Sequence, residues 1–262
     1  MDSLSILDLY DEHERRNADI PGYSRVETPR TVRMIDSRDG FNFIAWYRFP
    51  RERAAEAIGA ELEYFRALGR DFEWKTYDHD SPADLPDILG AHGFDVGEDE
   101  AIMVLDLAAM PSEWKATTGF DIRRVIDPAG VADMAVVQSA VWPEDGASFA
   151  DTIGFQLREY PDYVSVYVAY VDGLPVCSSR VNFPSSSPFA SLWGGGTVPG
   201  YRGRGIYTAM LAVRAMEAVA RGYRYLTIDA GPMSRPIVER HGFVRISTSR
   251  PCEHKRISAD SV

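Results

Sequence analysis

The chain has 262 residues, a formal net charge of −11, a pI near 5.0, and 45% hydrophobic and 11% aromatic residues. This is the composition of a globular protein of about two domains, and its acidity argues against a nucleic-acid-binding face. Cys177 and Cys252 are the only cysteines, so neither a disulfide framework nor metal-ligand spacing is present. No run reaches the ~20 apolar residues of a membrane span, and Met1–Tyr10 lacks the basic start of a secretory signal. A cytoplasmic protein with no membrane, nucleic-acid or metal partner is expected.

In chain order, Leu4, Leu7 and Leu9 mark a helix over 4–18, broken by Pro21-Gly22. Thr31–Phe49 reads as a hairpin turning at Asp36-Ser37-Arg38-Asp39-Gly40. Pro50 opens a helix through Leu68 that Gly69 stops. Phe72–Tyr77 is a strand, Ser81 is the cap of a helix reaching His92, and Ala101–Leu107 is an apolar strand. Trp46, Tyr47, Trp74 and Tyr77 are core candidates first and lining for a substrate cleft second.

A second series follows the connection at 108–118. Phe120–Val125 is a strand, 129–141 and 147–160 are helices, and Val164–Val171 pairs with Pro175–Asn182 across Asp172-Gly173. Ala190–Val198 is a strand, and a helix follows from Gly205 to Arg221. Then come a strand over Tyr223–Asp229, a short helix over Ser234–His241 and a strand from Phe243. Trp193-Gly194-Gly195-Gly196 signals either a bulge or the close approach of a ligand.

Both halves share an order: strand, Pro, long helix, Gly, strand, helix, His-Gly-Phe, strand. The anchors are Pro50, Gly69 and His92-Gly93-Phe94, then Pro199, Gly222 and His241-Gly242-Phe243. The order reads as a diverged duplication. The second half has about one extra helical turn of chain, and it falls at Gly200–Gly205. There, glycines before a helix let backbone N–H groups converge on an anion at the positive end of the helix dipole. Arg202 and Arg204 add donors suited to phosphate.

Strand, Val198-Pro199, aromatic, Arg202-Gly203-Arg204-Gly205-Ile206, amphipathic helix, strand and Gly242-Phe243 together resemble the GNAT superfamily of N-acetyltransferases. Its loop reads R/Q-x-x-G-x-G/A; the first four positions fit, and the last is Tyr207. A dinucleotide-binding G-x-G-x-x-G does not fit. The resemblance covers roughly residues 119–250, and the first half shares only the architecture. It implies an α/β (α+β) fold of two tandem GNAT-like lobes, each a mixed twisted sheet flanked by helices. Residues 1–112 would be a degenerate lobe without the loop, and 113–262 the lobe holding acetyl-CoA.

By the same resemblance, the strand at Leu192–Val198 should splay from Tyr225–Asp229 and admit the pantetheine arm. The backbone of Thr197 and Val198 should bind the arm. Arg202, Gly203, Arg204, Gly205, Ile206 and Tyr207 should bind the pyrophosphate, and Arg214, Arg221 and Arg224 should extend the basic surface. The implied reaction is acetyl transfer from acetyl-CoA to a small-molecule or peptide amine; the alternative is a non-catalytic acyl-CoA-binding or sensor protein. The tyrosine that many members use as acid is replaced by Val238. Tyr207, Asp229 and Ser234 are the substitute catalytic candidates, the last two doubling as turn and cap residues.

Overall fold

The computed structural model describes residues 3–38, 40–115, 119–142 and 146–256. Contacts divide the chain into two units: Met1–Ile102 with Ala230–Pro232 and Arg245–Val262, and Met103–Asp229 with Met233–Val244. Neither unit is continuous in sequence.

In the first unit, α1 (Ser3–Tyr10) widens into a π-helical turn at Asp11–Arg16. β1 (Tyr23–Glu27), β2 (Thr31–Asp36) and β3 (Phe43–Tyr47) form an antiparallel meander. The β2–β3 hairpin is the expected one, with Asp39 of its turn outside the described residues. α2 (Ala54–Leu68) ends at Gly69, whose φ of 67° suits glycine. β4 (Phe72–Tyr77) then lies parallel to β3. α3 spans Leu85–Ala91 with Asp84 at its N-cap. The expected cap, Ser81, precedes the helix, because a turn closed by the Leu85 N–H on the Pro82 carbonyl (3.1 Å) intervenes. β5 (Asp95–Val96) and β6 (Glu100–Asp106) follow.

The second unit runs β7 (Asp121–Arg124), α4 (Pro128–Val141), α5 (Gly146–Glu159), β8 (Val164–Val171) and β9 (Leu174–Asn182). Asp127 caps α4 by accepting from the Gly130 N–H at 2.9 Å. Asp172 and Gly173 both have positive φ, 51° and 79°, as a two-residue hairpin turn requires. β10 (Phe189–Thr197), α6 (Ile206–Ala220), β11 (Tyr225–Ala230), α7 (Arg235–Arg240) and β12 (Val244–His254) complete the chain. The strand order in this unit is β6-β11-β10-β9-β8-β7. β10 and β11 run parallel, and β7 through β10 are antiparallel neighbours. β12 pairs with β4 in the first unit, from Ser249 opposite Tyr77 to His254 opposite Phe72. Thus each sequence repeat gives its closing strand to the other unit's sheet. Among the described residues no helix is long and apolar enough to cross a membrane.

The core of the first unit is aromatic. Trp74, fully buried, meets Tyr47 and Phe49 edge-on at 5.7 and 6.0 Å, and Phe65 stacks on Phe72 at 4.0 Å. Trp74, Tyr47 and Tyr77 are therefore core; Trp46 is half-buried. Glu61 of α2, 2% exposed, accepts from the Thr31 hydroxyl (2.7 Å) and from Arg33 Nε and Nη2 (2.6 and 3.0 Å). Removing this carboxylate strands the Arg33 charge. Glu61→Ala should therefore destabilise the first unit by about 3–5 kcal/mol, visible as a large fall in its melting temperature; a variant that melts like the wild type would show that the network contributes little.

Arg15, 1% exposed, bonds Asp11 at 2.6 Å and both oxygens of Asp80, with its guanidinium 3.7 Å from the Tyr77 ring centroid. His79 joins it, with Nε2 3.0 Å from Asp11 and Nδ1 2.7 Å from the Ser247 hydroxyl. Burial pulls the His79 pKa down, but the bond to Asp11 and the charges of Asp11 and Asp80 outweigh that and raise it above 6.5. A raised folded-state pKa gives stability that is complete below the unfolded value and lost as pH rises through the folded value. Thermal melts from pH 5 to 9 should show this loss above pH 6.5 in the wild type and a flatter profile in His79→Asn.

Candidate functional site

The site begins where two parallel strands part. β10 and β11 pair from Phe189 opposite Tyr225 to Leu192 opposite Ile228. Beyond that pair β10 continues to Thr197 without β11, and its register against β9 shifts between Trp193 and Gly196. Gly194 takes a φ of 56° in this bulge. Gln138 of α4 holds it, donating from Nε2 to the Gly194 carbonyl (3.0 Å) and the Ser178 hydroxyl (2.7 Å). The next two glycines make room for side chains. A Cβ on Gly195 would stand 3.2 Å from the Tyr207 ring, and one on Gly196 2.8 Å from the Trp142 ring. Packing within the chain accounts for both.

The chain then turns into α6. A 3-10 turn over Pro199–Tyr201 leads to Gly203 and Gly205, with φ of 75° and 81°. None of the backbone N–H groups of Gly203, Arg204, Gly205, Ile206, Tyr207 and Thr208 has an acceptor among the described residues. The first intrahelical bond is Ala209 N–H to the Gly205 carbonyl at 3.0 Å. A run of unspent donors at the positive end of a helix favours negative charge. Arg202 and Arg204 stand exposed beside it. Arg202 Nε ties the loop back to the Thr197 carbonyl (3.0 Å), and Arg204 Nη2 reaches the Gly200 carbonyl (3.2 Å). The N–H of Val198 is spent on Val176 at 2.9 Å and its carbonyl accepts from Tyr201 at 2.9 Å. Any bond from Val198 to a ligand therefore falls to the second lone pair of that carbonyl.

Behind the loop lies a buried cation. Arg214, fully buried, donates from Nε to the Met210 carbonyl (3.0 Å) and from Nη1 to the Arg180 carbonyl (3.2 Å). No carboxylate pairs with it among the described residues, and its Nη2 lacks a well-aligned acceptor. Burial lowers its pKa, which the neighbouring Tyr207 and Cys177 oppose. In turn, burial raises the Tyr207 phenol while the Arg214 charge holds it back. Tyr207 is thus a phenol that keeps its proton, seven residues from a cation on the same face of α6. Cys177 is buried, its thiol raised by burial and accepting from Thr197 Oγ1 at 3.2 Å. Cys252 is pushed up to about 11 by burial. Neither is a nucleophile.

The remaining candidates fall nearby in the topology. Asp229 is half-buried one residue beyond the last β10–β11 pair, and Ser234 holds the N-cap position of α7 without a side-chain capping bond. Val238 is fully buried, an apolar core residue where the resembling family has its acid. The expected extension of the basic surface does not form. Arg214 is interior, Arg221 binds Glu217 (2.7 Å) and the Asp162 carbonyl (2.7 Å), and Arg224 grips Asp106 at 2.9 and 2.8 Å. Sequence reasoning placed Arg214 outside, although it interrupts the apolar run Met210-Leu211-Ala212-Val213-Arg214-Ala215-Met216. That interruption on the buried face was the available signal. Gln138 carried none.

The packing of Tyr207 against Gly195 gives a test. Gly195→Val should displace the Tyr207 ring and overpack the bulge, costing about 1–3 kcal/mol, whereas Gly200→Ala, where a Cβ meets nothing within 4 Å, should leave melting unchanged. Equal melting of the two variants would refute the tight contact.

No protein-family model matches the sequence, and the search of curated proteins finds no match. Solved structures do match. A GCN5-related N-acetyltransferase from Kribbella flavida superposes with a TM-score of 0.70 at 14% identity, covering 99% of this chain and 98% of that one. A functionally unknown conserved protein from Staphylococcus epidermidis gives 0.72 at 16%, covering 92% and 97%. A tandem GNAT protein from the clavulanic acid biosynthesis pathway gives 0.60 at 14%, covering 98% and 96%. With parallel strands that part ahead of a glycine-led helix, and with near-complete coverage in both directions, the chain has the mixed α/β fold of the GCN5-related N-acetyltransferases.

Proposed function

We propose that the protein transfers an acyl group, acetyl in the first instance, from acyl-coenzyme A to an amine. The observation that carries this is the run of unspent N–H groups from Gly203 to Thr208 beside Arg202 and Arg204, at the mouth of the parting strands. A pyrophosphate suits these donors, and the gap past Leu192 and Ile228 suits a pantetheine arm. We place one such site per chain, in the lobe of residues 113–262. The turn after β3 offers no equivalent, since Pro50 has no N–H and the Arg53 N–H is spent on the Pro50 carbonyl at 2.9 Å.

Bound acyl-CoA would supply an electrophilic thioester carbon and a thiolate leaving group. The amine nitrogen bonds to that carbon as the C–S bond breaks. Tyr207 gives its proton to the departing sulfur, and Asp229, directly or through water, takes one from the amine. Burial keeps the Tyr207 phenol protonated until it is needed, and Arg214 stabilises the phenolate that remains. Ser234, on the N-cap of α7, is the residue we assign to orienting the acceptor. Solved structures of similar fold include a glucosamine N-acetyltransferase region of a fungal multidomain enzyme, at 14% identity and a TM-score of 0.59; a small amine is the acceptor class we favour. Val238 at the family's acid position favours a second reading, an acyl-CoA-binding or sensor protein without turnover.

Calorimetry and thiol release separate the two. Acetyl-CoA should bind, and Arg204→Glu should weaken it by about tenfold or more with melting unchanged. Tyr207→Phe should keep the affinity but lower kcat by about 10²–10⁴-fold. Binding with no thiol release across an amine panel would select the sensor reading, and unchanged affinity in Arg204→Glu would remove the loop from the cofactor site.

A further inference from the structure

The first unit repeats the parting of parallel strands, and there it opens into a cavity. β3 and β4 pair at Phe43 opposite Glu73 and Ile44 opposite Trp74. Past those pairs β3 runs on to Tyr47 and β4 to Tyr77 unpaired with each other. A cavity of about 470 Å³ lies at their carboxyl ends, with Arg16, Trp46, Arg48, Phe49, His79 and Asp80 in its wall. Crevices at the carboxyl ends of parallel strands are where α/β folds hold ligands, and this volume suits a small organic molecule.

The charges of the wall are lopsided. Its acid, Asp80, is gripped at both oxygens by buried Arg15. Its bases are not so committed. Arg48 is exposed and forms no ion pair with any described residue. Arg16 has Glu12 at 3.5 Å, both side chains about half exposed, and lies 4.8 Å over the Trp46 ring. His79, by contrast, is committed at both ring nitrogens, Nε2 to Asp11 at 3.0 Å and Nδ1 to the Ser247 hydroxyl at 2.7 Å. The aromatic part of the wall comes from Trp46, half-buried with Arg16 over its ring, and from Phe49, 5% exposed. A metal at Asp11, His79 and Asp80, whose ligand atoms lie within 4.8 Å of one another, would compete with the Arg15 guanidinium already bonded to both carboxylates.

We propose that this cavity is a second ligand site, taking a small anion, carboxylate or phosphate, carried on a flat ring. The anionic group bonds Arg48 and Arg16, and the ring packs on Trp46 and Phe49. The site stands apart from the acyl-CoA reading, since it uses only residues of the first unit, where the phosphate-binding loop is missing.

Saturation-transfer NMR on the full chain, with benzoate, phenyl phosphate, benzamide and benzylamine as probes, tests this. Benzoate or phenyl phosphate should bind on the order of 1 mM, as befits so small a ligand, and which of the two binds tighter identifies the anion. Benzamide and benzylamine should bind at least about fivefold more weakly, and Arg48→Ala, an exposed position that should melt like the wild type, should weaken the anion by a similar factor. Arg204→Glu should leave anion binding unchanged. Equal binding of benzamide, an anion signal indifferent to Arg48→Ala, or no signal from either anion at 10-fold that order of concentration would overturn the proposal. Loss of acetyl-CoA affinity in Arg48→Ala would overturn it too, by making the cavity part of a coenzyme site.

Discussion

The separation of β10 from β11 after Leu192 is the constraint on which the proposed cofactor site of the second unit depends. A parallel pair that stays zipped leaves no room for an extended ligand, and a loop of free N–H groups beside it would have nothing to serve. Here the bulge at Trp193–Gly196 turns β10 away, Gln138 holds the turned carbonyl, and glycines admit Tyr207 on one face and Trp142 on the other. The same displacement brings the head of α6, with its unpaired donors, to the mouth of the gap. Strand, bulge, loop and helix are therefore one device rather than separate motifs.

α6 is anchored by polar groups as well as by its apolar face. Glu217 accepts from Ser165 (2.8 Å), the Tyr167 hydroxyl (2.8 Å) and Arg221 (2.7 Å), while Arg214 caps backbone carbonyls deeper in. Buried ionic groups are costly for stability. The charge of Arg214 opposes the rise that burial imposes on the neighbouring Tyr207 phenol, which is why Arg214 belongs in the account of the proposed site.

The first unit repeats the framework without the glycine-led loop. Its strands part in the same topological place, yet Phe49-Pro50-Arg51 replaces the glycine-led entry to the helix. Proline removes an N–H, and the 3-10 turn that follows spends the Arg53 N–H internally. Arg16 and Arg48 line the cavity at the carboxyl ends of these strands, beside Trp46 and Phe49.

Most of this architecture was legible locally. Hydrophobic period and turn residues placed β3, β4, β8, β9, β10, α6 and β11 within a residue or two, and the end of α2 at Leu68, while its start follows a 3-10 turn over Arg51–Arg53. The Arg202–Gly205 run marked a glycine-led helix start, because glycine spacing before a helix has a local physical meaning. β1 lacked a signal, its side chains being mostly exposed. The exchange of β6 and β12 between the units was not legible, since strand order depends on long-range pairing that no local pattern encodes. For the same reason sequence assigned Arg214, Arg221 and Arg224 to a basic surface, whereas folding buried the first and neutralised the others. By itself the sequence determined the repeated elements, the glycine-led loop and the absence of a tyrosine at Val238. Only the tertiary structure decided that the strands part at Leu192, that Tyr207 lies against a buried cation, and that the first unit holds a cavity. Those outcomes depend on which residues from distant segments meet, and burial and charge act only once they do.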